Sequence, residues 1–133
     1  MKTVYTFLLV MLSAMTLACG YGSKNYNSTA AAGTIPAISE LSPDNTNAGA
    51  GAFTMTVNGN NFGTNAKVNW NGVAQPTTFV TGSQLVVAIP ASMISSSGTA
   101  QITVTNPAMT GNGPYGMGGV LSETSKPMNF TIN

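Results

Sequence analysis

The chain has no histidine and no arginine, and only 5% of its 133 residues are charged. Four lysines (Lys2, Lys24, Lys67 and Lys126) stand against three acids (Glu40, Asp44 and Glu123). Soluble domains ordinarily carry about a quarter charged residues. Each absence excludes a kind of chemistry. Without histidine, neither a Ser-His-Asp nor a Cys-His nucleophilic arrangement can form, and zinc loses its usual nitrogen ligands. With no basic cluster there is nothing to neutralise phosphates, which excludes nucleic acid as a partner. The one cysteine, Cys19, has no second thiol in the chain with which to form a disulfide. No glycine-rich phosphate loop opens a helix, because no segment carries helical periodicity. Glu40 and Asp44 are the only acids close in sequence. They flank Ser42-Pro43, a turn where solvated charges are routine, so they read as surface charges and not as a glycosidase pair. Oxygen ligands for calcium from Asp44, Asn45 and Asn47 would have no second carboxylate nearby except Glu40, and the EF-hand spacing is missing. The expectation is a protein with no catalytic residues, no metal and no cofactor.

What is present favours strands and turns. The chain is 43% hydrophobic, with 15 glycines and 7 prolines, and its polarity comes from Asn, Thr, Ser and Gln. The eight methionines read mostly as leader residues or core filler and not as a metal-binding box.

Residues 1–18 carry one positive charge, Lys2, then an apolar run from Val4 to about Leu12, then small residues. That is the layout of a secretory signal peptide, and the run is too short for a comfortable membrane span. Cys19 follows Leu17-Ala18 directly. This resembles the lipobox of bacterial lipoproteins, whose cysteine is acylated and becomes the mature N-terminus. Thr16 departs from the pattern, which prefers Leu there. Ordinary signal peptidase acting at Thr16-x-Ala18 would release the chain unacylated. The resemblance implies a lipidated Cys19, a membrane partner through that lipid, and an outer-membrane or cell-surface location. Free secretion is the alternative. Gly20, and not an acid, follows the cysteine. Loss of residues 1–18 removes Lys2 and leaves three lysines against three acids. Residues 19–34 then form the lipidated cysteine and a Gly/Ser/Asn linker with no apolar periodicity.

From residue 35 onward, short apolar-alternating runs are separated by turn signals. Phe53, Met55 and Val57 alternate with threonines and Asn58, followed by a turn at Gly59-Asn60-Asn61. Val68 and Trp70 precede Asn71-Gly72, the strongest hairpin signal in the chain. Leu85, Val87 and Ile89 form the next face, which Pro90 ends because it has no N–H to donate. A short helical or 3-10 turn fits 91–97. Ile102 and Val104, then Met128, Phe130 and Ile132, form the last two faces. Ile35, Ile38 and Leu41 fit the first strand. About seven half-apolar strands over 35–133 predict an all-β domain of two packed sheets, an immunoglobulin-like sandwich. Trp70 shares a face with Val68 and reads as core rather than as a binding-site aromatic.

Taken in order, these residues resemble the IPT/TIG family, the immunoglobulin-like (E-set type) domain found in plexins, certain transcription factors and many bacterial surface proteins. The resemblance is carried by Pro36-x-Ile38 with Ser42-Pro43, by Gly51, Val57, Gly59 and Phe62-Gly63, and by Val68-x-Trp70-Asn71-Gly72. It continues through Ser83-x-Leu85-x-Val87-x-Ile89-Pro90, Gly98, Ile102, Val104 and Asn106, and closes on Phe130 and Ile132. Tryptophan stands where the family more often has Phe. Gly59 is expected to adopt positive φ, and Phe62 to fold back and plug one end of the sandwich. Motifs that specify a fold do not by themselves name a ligand.

The departure from the family is residues 107–126, where a short connection is usual. A link this long in a compact domain is usually functional or disordered. It carries Met109, Tyr115 and Met117 among five glycines, an adaptable surface suited to a sugar or a protein. The competing expectation is a hairpin extension in which Val120 and Leu121 pair with a neighbouring strand. Together these readings describe a non-catalytic envelope lipoprotein whose domain binds a polysaccharide or an envelope protein, with Met109, Tyr115 and Met117 as candidate contacts. The alternative is a structural spacer or assembly subunit with no ligand of its own.

Overall fold

The structure, a computed structural model, describes residues 33–110 and 119–133. The leader, Cys19 and most of the linker expected from the sequence lie outside the described residues, as do Tyr115 and Met117. The strands run β1 (Ala37–Ser42), β2 (Asn45–Thr46), β3 (Phe53–Asn60), β4 (Lys67–Trp70), β5 (Val73–Ala74), β6 (Thr77–Thr81), β7 (Gln84–Ile89), β8 (Gly98–Asn106), β9 (Glu123–Thr124) and β10 (Met128–Ile132). A 3-10 turn at Ala91–Ile94 follows Pro90. Seven strands have four residues or more, and the expected all-β class holds.

One sheet has the order β1-β3-β7-β6. The other runs β2-β10-β8-β4-β5, with β9 also paired to β8. Between β1 and β2 the chain crosses from the first sheet to the second, through a cis Ser42-Pro43 peptide. There β2 lies parallel to β10, with Asn45 opposite Thr131. This immunoglobulin-like sandwich buries alternate residues of both sheets. Leu41, Met55, Val57, Leu85, Val87 and Ile89 meet Val68, Trp70, Ile102, Val104, Phe130 and Ile132. The period-two alternation of side chains puts each set on one face of its strand. Phe130 is completely buried. Its ring lies 5.6 Å from Phe53 in a stacked arrangement and 5.1 Å from Trp70 in a tilted one. Phe53 comes from the opposite sheet, so the aromatic trio ties the two layers together. Trp70 is therefore core, as its position beside Val68 predicts.

Asn71 (φ 48°) and Gly72 (φ 84°) both have positive φ. This is the geometry that an Asn-Gly hairpin turn demands, and it joins β4 to β5 with Trp70 opposite Val73.

Three local expectations are corrected. Ile35 is 60% exposed and lies outside β1. The register of β1 slips between Ile38 and Glu40, and this bulge turns Leu41, three residues on, to the core side with Ile38. The turn expected at Gly59-Asn60-Asn61 begins two residues later, because β3 continues through Asn60 and it is Asn61 that has φ 62°. Gly59 is not a positive-φ residue. A Cβ there would collide with the Ala37 carbonyl oxygen on the paired strand and with the Phe62 ring. Glycine is required at this position for close approach. Phe62 is buried, and its backbone N–H donates to the Gly82 carbonyl at 2.9 Å. It closes this end of the sandwich as expected.

Candidate functional site

The segment singled out by the sequence, 107–126, is not a structureless link where it is described. Met109 faces Val120, and each donates its N–H to the other's carbonyl, at 3.0 and 2.8 Å. Thr105 faces Thr124 and Asn106 faces Glu123 in β9. Val120 does pair across the hairpin, with Met109, but as an isolated bridge and not with a strand, and Leu121 makes no such pairing among the described residues. The result is a hairpin stem that carries β8 beyond the body of the sheet.

The stem is offset from the sheet by one residue. Ile102 faces Met128, while Thr105 faces Thr124. Three steps along β8 are therefore matched by four on the returning strand. The extra residue falls at Ser125-Lys126-Pro127. Ser125 is buried and repairs the ladder locally. Its N–H donates to the Val104 carbonyl at 2.8 Å, and its Oγ accepts the Val104 N–H at 2.9 Å. The same hydroxyl donates to the Lys126 carbonyl at 2.9 Å. A β-bulge satisfied by a side chain in this way leaves no orphaned buried donor.

At the base of the stem, Asn106 is the hub. Its Oδ1 accepts the Gly63 N–H at 2.8 Å. Its Nδ2 donates to the carbonyls of Thr34 and Asn61, each at 2.8 Å. Asn61 Nδ2 in turn donates to the Ile35 carbonyl at 3.3 Å. The sequence assigns Gly33 and Thr34 to the linker, but the structure places both against the domain. A Cβ on Gly33 would strike the Leu121 carbonyl and the Glu123 side chain. These contacts join the point where the chain enters the domain, the turn after β3 and the hairpin stem. A groove of about 360 Å³ lies among them, lined by Thr34, Phe62, Asn65, Pro107, Met109 and Leu121, among others. Met109 is 49% exposed and Leu121 is 52% exposed.

No local signal marked Asn106 as a hub, because its partners are 43 to 72 residues away in sequence. Replacing Asn106 with alanine removes three hydrogen bonds. The expected cost is about 2–3 kcal/mol, at a net value near 1 kcal/mol for each bond. Hydrogen exchange at the Gly63 and Met109 amides should accelerate in the same variant. Asp at this position keeps the acceptor for Gly63 but turns an anionic oxygen on two carbonyls, so Asn106→Asp should rescue nothing.

Elsewhere, Glu40 accepts from Asn58 Nδ2 at 3.2 Å, and Asn58 Oδ1 accepts from Gln84 Nε2 at 3.2 Å. This forms a polar row across the outer face of the first sheet. Asp44 Oδ1 accepts from Asn45 Nδ2 at 2.6 Å. Among the described residues, no three His, Cys, Asp or Glu side chains gather into a possible metal site. A second cleft of about 560 Å³ opens at the far end, beside Phe53, Gln75, Pro76, Ile89 and Pro90.

The two-sheet architecture, the β1-to-β2 sheet crossing and the core alternation define an immunoglobulin-like β-sandwich of the E-set kind. The chain belongs to the IPT/TIG family, because residues 36–117 match the IPT/TIG domain. Comparison with curated proteins and with solved structures gave no match. Domains of this family are generally non-catalytic modules with binding or structural roles.

Proposed function

We propose that this protein is a non-catalytic, envelope-tethered binding module. It is held by an acylated Cys19, exported by the 1–18 leader, and engages a polysaccharide or protein partner through the hairpin at 107–126. The observation that supports this most directly is the stem itself. The Met109–Val120 pairing projects the chain past the sheet and leaves Met109 and Leu121 half exposed. A connection serving only to join β8 to β10 needs no such projection, since the two strands already pair directly from Met128 onward. Tyr115 and Met117 lie between the two arms of this stem in sequence. An aromatic with a polar tip suits a sugar ring or a protein surface. The absence of histidine from the sequence supports the non-catalytic reading.

The test is retention of the mature chain on a panel of immobilised polysaccharides and peptidoglycan. It is run beside Tyr115→Ala and beside a variant in which an Asn-Gly turn joins Met109 directly to Val120. The expected outcome is retention by the parent and its loss in both variants. Unchanged retention in both removes the hairpin from the binding surface. No retention of any form, with no crosslinked partner in intact cells, would favour a structural spacer.

A further inference from the structure

We propose that the end of the sandwich where the chain enters the domain is a lipid-contacting face, which seats the domain against the bilayer holding its own anchor. This rests on the reading of Cys19 as acylated. Among the described residues, three of the five large hydrophobic side chains left exposed, Ile35, Met109 and Leu121, lie at this one end. Met109 and Leu121 line the same groove as Gly33 and Thr34, and Ile35 follows directly. Asn106 and Asn61 hold the Thr34 and Ile35 carbonyls against the domain. The chain toward Cys19 therefore departs from the apolar rim itself and not from a side of the sandwich. Fully extended, the segment from Cys19 to Gly33 reaches at most about 50 Å, and any less extended form brings the rim nearer the surface. The opposite end, with Ser96 and Asn133, is a sandwich length away. It is marked by Ala48 donating to the Asn133 carbonyl and Gly49 donating to the Ile94 carbonyl.

The chemistry selects lipid over an ionic surface. Near the rim stand Lys67 on β4 and Glu123 on β9, one charge of each sign. Neither attraction to nor repulsion from charged headgroups dominates. Adhesion must then come from apolar contact, which is salt-insensitive and scales with buried area. Three partly exposed side chains form a small contact. Tethering makes the encounter intramolecular, so a weak contact is enough to bias orientation. Met109 and Leu121 are then taken up by the bilayer, and a partner of the hairpin is left to Tyr115 and Met117, which lie between its arms in sequence.

The experiment uses the lipidated protein in phosphatidylcholine vesicles. Acylation consumes the only native thiol, so Met109→Cys, Leu121→Cys and Ser96→Cys can each carry a single nitroxide. The expected result is a severalfold higher ratio of collisions with dissolved oxygen to collisions with a water-soluble nickel chelate at 109 and 121 than at 96. That ratio should not change when salt is raised. Equal water exposure at all three sites, on protein that floats with the vesicles, overturns the proposal and leaves the anchor intact. Protection that appears only on adding cell-wall polymer or envelope protein also overturns it, and gives the rim to that partner. A chain that fails to float, with Cys19 still titrating as a free thiol, removes the anchor reading and this proposal with it.

Discussion

Replacing Phe130 with alanine is expected to lower the unfolding free energy by about 3–5 kcal/mol, the usual range for deleting a buried aromatic. The side chain is fully buried between the sheets, where its ring stacks on Phe53 of one sheet and packs against Trp70 of its own. Truncation removes its apolar burial, opens a cavity and breaks two aromatic contacts. The cavity cannot collapse easily, because β10 is fixed by pairing to both β8 and β2. Phe130→Leu, which keeps most of the volume, should cost clearly less. Equilibrium urea unfolding followed by the emission of Trp70, the only tryptophan, would measure both. A loss below about 1 kcal/mol for the alanine variant would mean that the sheets are held together elsewhere.

Gly59→Ala is the second large expected effect, upwards of about 2 kcal/mol, the cost of forcing atoms into filled space. Adding one carbon ordinarily stabilises a chain slightly by narrowing its unfolded ensemble. Here the carbon would enter the space occupied by the Ala37 carbonyl and the Phe62 ring. The carbonyl belongs to the paired strand and cannot swing away, so β1 would have to shift. Gly51 is the control. Nothing lies within 4 Å of a Cβ built there, so Gly51→Ala should change stability by less than about 1 kcal/mol. Both glycines carry the family resemblance, yet only one is required by packing in this chain. Comparable thermal stability of the two variants would contradict that distinction.

The strands that bury alternate residues were legible in the sequence. In β3, β8 and β10, apolar residues alternate with polar ones, and a period of two has no other ready explanation, while β7 is a short apolar run that Pro90 closes. Asn71-Gly72 announced its hairpin because few dipeptides tolerate two successive positive φ values. β6 was not legible. Thr77–Thr81 turns only Phe79 against the core, and Val80 remains 46% exposed. An edge strand of this kind buries too little to leave a pattern. The bulge in β1 blurred its bounds and not its existence: Ile38 and Leu41 marked the strand, but their three-residue spacing drew Ile35, which lies outside it, into the same face. At the candidate site, length and composition pointed to 107–126, but the stem was visible only as an alternative. Asn106, Thr34 and Gly63 meet through tertiary contacts that no local window contains.

The slipped residue at Ser125 has a consequence for how this domain can change. Because the offset is absorbed inside one satisfied bulge, the register of the stem is independent of the register that buries Ile102, Phe130 and Ile132. The stem can be lengthened, shortened or replaced in pairs of residues without turning a core side chain outward. The bulge acts as a coupling between a fixed chassis and an interchangeable attachment. Variation in length and composition can then accumulate beyond Thr105 and Thr124 while the sandwich beneath is left unchanged.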